Sequence, residues 1–136
     1  MKIAKRIAIA FTLYVFVVVA FEVLIGVFQP SSQATLTIAT QDESGHSKRR
    51  VLARIKVDEQ LYVAANHWPR AWYNQAISTP DIEVALDRKG EEMRPFRAVP
   101  IVGEARNRID QESPLTFGFR FLTGFAPRTF LRLDPL

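Results

Sequence analysis

The 136 residues include no cysteine, are 48% hydrophobic and carry a formal charge of +4. Without thiols there is no disulfide framework, no cysteine-ligated metal centre and no thiol nucleophile. Beyond an apolar N-terminal stretch the chain has room for one domain of roughly 100 to 150 residues, so a two-domain enzyme is excluded. Lys2, Lys5 and Arg6 against Glu22 supply about half of the net charge, and the rest of the chain is nearly balanced, with one basic run at Lys48, Arg49 and Arg50. Nucleic-acid binding needs a clustered basic stripe, and none is expected here.

Residues 7–28 are almost wholly apolar. As a helix rising roughly 1.5 Å per residue they cover about 33 Å, enough to cross a hydrocarbon core of about 30 Å. Glu22 opposes insertion by roughly 2.5 to 3.5 kcal/mol at most, whereas the Ile, Leu, Val and Phe residues together return about 4.5 to 9. Insertion therefore wins. The span exceeds the roughly 7 to 15 apolar residues of a signal peptide, so residues 1–28 read as an uncleaved anchor. Lys2, Lys5 and Arg6 precede the span and no basic residue follows until Lys48, which predicts a cytoplasmic N-terminus and a domain on the non-cytoplasmic side. Glu22 has two readings, a functional intramembrane carboxyl or a protonated group with no role.

Residues 29–33 form a polar break, and residues 34–136 make the domain. Alternation predicts strands over 34–40 and 49–57, the second with Val51, Ala53, Ile55 and Val57 on one face. A turn at Asp58-Glu59 leads to a third strand over 60–65, and further strands are expected over 82–86, 96–102 and 129–133. A helix is expected over 68–78, begun by Pro69, with Ala71, Trp72, Gln75 and Ala76 on one face. A second is expected over 104–111, burying Ala105 and Ile109. Residues 114–127, with Phe117, Phe119, Phe121 and Phe125 between glycines, read as a lid or mobile segment. The sum is mainly β with short helices, an α+β fold: a six-stranded antiparallel split β-barrel, closed or partly closed, preceded by one transmembrane helix.

His46 and His67 lack ligand spacing, so no metal site is expected, and neither a nucleophile elbow nor a Gly-rich phosphate loop is present. Chemistry would have to come from an organic cofactor. Two walls could hold one. The hairpin over 40–50 turns at Ser44-Gly45 and is followed by Lys48, offering N–H groups and a cation to an anion, or it is simply a solvated tip. The strand end Ala65-Asn66-His67-Trp68 runs into a helix whose Trp72 and Tyr73 supply planar surfaces, or those aromatics are core.

The order of Leu36-Thr37-Ile38-Ala39-Thr40, Ser44-Gly45, Leu52, Leu61-Tyr62-Val63-Ala64-Ala65, Trp72-Tyr73, Pro80 and the ending from Arg128 to Pro135 resembles the deazaflavin-dependent nitroreductase family of the flavin-binding split β-barrels. The resemblance implies a deazaflavin coenzyme or FMN, with Ser44, Gly45 and Lys48 on its anionic tail and Ala65, Asn66, His67, Trp68 and Trp72 around its ring. It implies hydride transfer to a quinone, nitroaromatic or other apolar acceptor, and pairing as a homodimer. Gln41-Asp42-Glu43 departs from the family's basic triplet, and Gln75 stands where an Asn is usual. Those carboxylates keep a second reading open: a non-catalytic barrel, without cofactor, that binds an apolar ligand, a lipid or an envelope partner.

Overall fold

The computed structural model describes residues 1–27, 35–66 and 70–136. In chain order the elements are α1 (Lys2–Val27), β1 (Thr35–Gln41), β2 (Ser47–Ala53), β3 (Ile55–Val57), β4 (Gln60–Ala65), α2 (Ala71–Ser78), β5 (Asp81–Ala85), β6 (Arg94–Ile101), α3 (Gly103–Glu112), α4 (Phe117–Leu122) and β7 (Thr129–Pro135). They form two compact units. One holds α1 with Leu115–Ala126, and the other holds the remaining elements.

The larger unit is one antiparallel sheet in the order β2-β1-β5-β6-β7-β4-β3. It curls until β2 approaches β4, yet no ladder joins its two ends among the described residues. The mainly antiparallel α+β class is as expected, but the sheet has seven strands and is not a closed barrel. The seventh strand arises at Arg54. Residues 47–53 pair with β1, whereas residues 55–57 pair with β4, so the chain changes partners at Arg54 and the continuous strand expected over 49–57 is split. The break also alters its faces: Ala53 is exposed, Leu52 packs on the core, and Val57 is buried.

The turn at Asp58-Glu59 is a two-residue hairpin loop joining Val57 to Gln60. Both turn residues have positive φ, 48° and 64°. That is the geometry whose twist matches flanking strands. Inside the curl, Leu36, Ile38, Val63, Val84, Leu131 and Leu133 are fully buried, and α2 adds Trp72 and Ala76. On the outer face Ile109 of α3 packs with Val57 and Phe130. Ala105, expected inside with it, is exposed. Arg106 takes the inward position instead, its guanidinium donating twice to the Arg128 carbonyl at 3.2 and 2.9 Å.

The smaller unit is simple. The α1 helix is long and apolar enough to cross a membrane, with mean hydropathy 2.5 over the candidate span Lys2–Leu24. The stretch expected to be a lid contains the helix α4, and it packs against α1. Tyr14 and Phe121 rings lie 4.8 Å apart, and Phe21 and Phe119 rings 6.0 Å apart. Alternating phenylalanines disguised the helix in the sequence. Thr116 starts it by accepting from the Phe119 N–H at 3.3 Å.

Candidate functional site

The β1–β2 hairpin brings Ser44, Gly45 and Lys48 together at its tip, where Gly45 has φ +78°. Asp42 organises that tip. Its Oδ1 accepts from the Ser44 and His46 N–H groups, both at 3.0 Å, and its Oδ2 lies 3.3 Å from Lys48 Nζ. The His46 N–H above all, then Lys48 and the Ser44 N–H, hold the Asp42 carboxyl below its ordinary value. The N–H groups and the cation expected to meet a ligand's anion are thus directed at the chain's own carboxylate. A Ser-Gly turn followed by lysine is visible in the sequence, but the preceding aspartate folding back onto it is not.

Between this tip and α2 lies a cleft of about 510 Å³ lined by Gln41, Asp42, Glu43 and Ser44 on one side and by Asn74, Gln75 and Ser78 on the other. The helical period explains the lining. Residues 71, 74, 75 and 78 fall on one face of α2, while Trp72 and Ala76 fall on the face turned to the core. Gln75 is fixed there, its Oε1 accepting from the Thr40 hydroxyl at 2.8 Å. With Asp42 and Glu43 on its wall, the cleft suits a cationic or neutral polar group better than a phosphate.

The second wall is the end of β4. Ala65 is 2% exposed and pairs with Thr129, and Asn66 is half-buried beyond it. Trp72 is 4% exposed and sits within the core, edge-on to Tyr73 with ring centroids 5.8 Å apart. Tyr73 bonds to Thr129, and burial pushes its phenol up, so it stays protonated at neutral pH. His67 and Trp68 lie outside the described residues. Ala65, Trp72 and Tyr73 are therefore assembled about one strand end, while Ser44, Gly45 and Lys48 form a separate group across α2.

Arg128 was not singled out by sequence. It is 7% exposed and donates from Nε to Asn66 Oδ1 at 3.0 Å and from Nη1 to Asp110 Oδ1 at 2.8 Å and the Ser113 carbonyl at 2.6 Å. Its Cζ stands 4.8 Å from the centre of the Phe130 ring. One buried guanidinium thus fixes the Asn66 amide, the end of α3 and the start of β7. A planar fork with several donors is the group that can do this. An Arg just before the final strand is its only sequence signal. Among the described residues no cluster of three or more His, Asp or Glu could hold a metal ion.

No family model matches the sequence. No curated protein matches it significantly. Solved structures do match. The protein Atu2129, of unknown function, from Agrobacterium tumefaciens superposes with a TM-score of 0.60 at 18% identity, over 75% of this chain and 48% of that one, so the chain spans about half its length. The heme storage protein HutZ from Vibrio cholerae matches with a TM-score of 0.53 at 15% identity, over 77% of this chain and 83% of the other. An F420-H2 dependent reductase, FDR-A, matches with a TM-score of 0.53 at 18% identity, over 73% and 94%. At such identities the likeness establishes a shared fold, the split barrel, and a heme storage protein and a reductase both built on it show that this fold serves more than one task.

Proposed function

We propose that the chain is a membrane-anchored split-barrel protein of the reductase kind, which binds a deazaflavin coenzyme or FMN and passes hydride to a quinone, nitroaromatic or other apolar acceptor. The fold shared with an F420-H2 dependent reductase over 73% of the chain carries this reading. In it, Ala65, Asn66, His67, Trp68 and Trp72 surround the cofactor ring, which requires the buried Ala65 and Trp72 to be uncovered on binding. Residues 1–28 are the anchor with its N-terminus in the cytoplasm, and the domain lies on the other side. An apolar acceptor dissolved in the bilayer would be within reach of such a domain. The bound cofactor supplies the hydride chemistry, and the chain supplies position and polarity. The edge strands β2 and β3, unpaired on their outer sides among the described residues, give two copies a means of pairing as a homodimer.

The hairpin in its present geometry does not fit an anionic tail. Ser44 N–H and Lys48 already serve Asp42, so a tail on Ser44, Gly45 and Lys48 must displace that carboxylate. The same observation favours a second reading, a non-catalytic barrel that binds an apolar ligand or an envelope partner. Activity separates the two. With the full chain in phosphatidylcholine vesicles, reduced deazaflavin coenzyme and menadione, the reductase reading expects consumption of the coenzyme that rises with protein. A rate equal to that of empty vesicles would favour the second reading.

A further inference from the structure

Leu115–Ala126 is as apolar as a membrane segment, with Arg120 as its one charge. The carbonyls of Phe119, Arg120 and Phe121, where its helix ends, each have partners within the same unit. The Thr123 hydroxyl donates to the Phe119 and Arg120 carbonyls at 3.0 and 3.1 Å, and the Phe125 N–H to the Arg120 carbonyl at 2.8 Å. The Phe121 carbonyl accepts from the Gly124 N–H at 3.2 Å and from the Tyr14 hydroxyl at 2.9 Å. The last carbonyls of a short helix normally rely on water. In hydrocarbon each unsatisfied one costs several kcal/mol, and only internal partners can prevent it.

The contacts with α1 fall at Tyr14, Val18 and Phe21, one helical face. Val18 is met by Gly124, where a Cβ would come within 3.2 Å of its Cγ1. Counted along the helix at roughly 1.5 Å per residue, these positions lie about 18 to 29 Å from its start, beside its apolar middle. Away from these contacts Phe117 and Phe125 are 75% and 47% exposed, and Phe121, although it meets Tyr14, is still 43% exposed. Their rings pack on one another at 5.9 to 6.4 Å, and α1 likewise exposes apolar side chains at Phe11 and Phe16. Both ends of the excursion are held together in the barrel, where Arg128 donates to the Ser113 carbonyl.

We propose that Leu115–Ala126 is a second membrane element, a re-entrant hairpin that lies against α1 at hydrocarbon depth with Phe117, Phe121 and Phe125 in contact with lipid acyl chains. A chain that enters the bilayer twice is joined to it by a short anchor and by a loop between α3 and β7. Lipid is the occupant the surface fits, because α1 and the segment packed on it both turn apolar side chains outward and the segment has no hydrogen-bonding demand left at the carbonyls described. Arg120 lies with its guanidinium carbon 6.0 Å from the Phe125 ring centre, and its long stem lets the charge reach towards headgroups.

The lack of cysteine makes the test clean. Full-length chain with a single nitroxide at Phe117→Cys or Phe125→Cys is reconstituted in phosphatidylcholine–phosphatidylglycerol vesicles. Phe16→Cys in α1 and Ser44→Cys in the hairpin tip serve as references. Accessibility to oxygen and to a water-soluble nickel chelate is then read. The expected result is high oxygen and low nickel accessibility at 117 and 125, matching position 16 and severalfold less nickel accessibility than position 44. Nickel accessibility at 117 and 125 equal to that at 44, with position 16 in lipid, overturns the hairpin while leaving the anchor intact. Aqueous values at 16 as well overturn both. Low accessibility to both reagents with dipolar broadening makes the occupant a second copy and also overturns the proposal. Phe117→Trp, quenched or not quenched by brominated lipid, decides the same question should the label disturb the packing.

Discussion

Asp42 and Arg128 show how much a single charge can organise when it is turned inward. The Asp42 carboxyl is held below its ordinary value of 3.8 by the hairpin N–H groups and Lys48, so near pH 4 the unfolded hairpin binds more protons than the folded one. The stability it contributes is complete above 3.8 and is lost as pH falls through the lower folded value. Asp81, held down by Arg97, and Asp134, held down by Arg132, follow the same sign. Amide exchange at Ser44 and His46 should therefore accelerate as pH falls below about 4 relative to a neutral-turn standard, and Asp42→Asn should abolish that dependence; an unchanged dependence in the variant would remove Asp42 from its role. Arg128 carries more. Arg128→Met removes the donor to the Asn66 amide and the Ser113 carbonyl and one of the two cations beside the partly exposed Asp110, and leaving such polar groups unpaired costs about 1 to 3 kcal/mol. A urea melt should show a loss of that order, and a loss within ordinary surface values of about 0.5 kcal/mol would deny the hub.

Elements were legible where local pattern and tertiary demand agree. The turn at Asp58-Glu59 is an example, since two polar residues between alternating runs place a hairpin, and the structure has one. Their identity is less suited than their position, because left-handed backbone costs a non-glycine residue roughly 1 to 2 kcal/mol. Glu59→Gly should raise stability by about 1 kcal/mol in thermal or urea unfolding, despite losing the exposed Lys56 contact, and a decrease would mean the turn is built differently. Pattern failed where a strand serves two partners. The break at Arg54 depends on β1 and β4 competing for neighbouring residues, which no local window records. It failed again in β1, whose alternation predicts one wet face although Thr35 and Thr37 are buried. The loop after β5 covers that face, the Thr37 hydroxyl donating to the Asp87 and Arg88 carbonyls. The helix α4 is hidden for a similar reason, since its stabilising partner Tyr14 is 107 positions away.

At the scale of the molecule, the sequence order was enough to suggest a split barrel, and the solved structures share that fold at identities of 15 to 18%. The candidate site was only half legible. Residue types at the hairpin tip and strand end can be named from sequence, but whether their donors face a ligand or the chain itself is decided by side chains that fold back, as Asp42 does. The proposed reductase stands or falls on whether a planar redox cofactor binds at all. Its most direct test is an equilibrium titration of the detergent-solubilised full chain with deazaflavin coenzyme and with FMN, following cofactor fluorescence anisotropy. The reductase proposal predicts a saturable rise with one of them, tighter in Asp42→Arg and weaker in Lys48→Glu where the tail lies on the hairpin. Saturation with neither cofactor, in the wild-type chain or in Asp42→Arg, would contradict it.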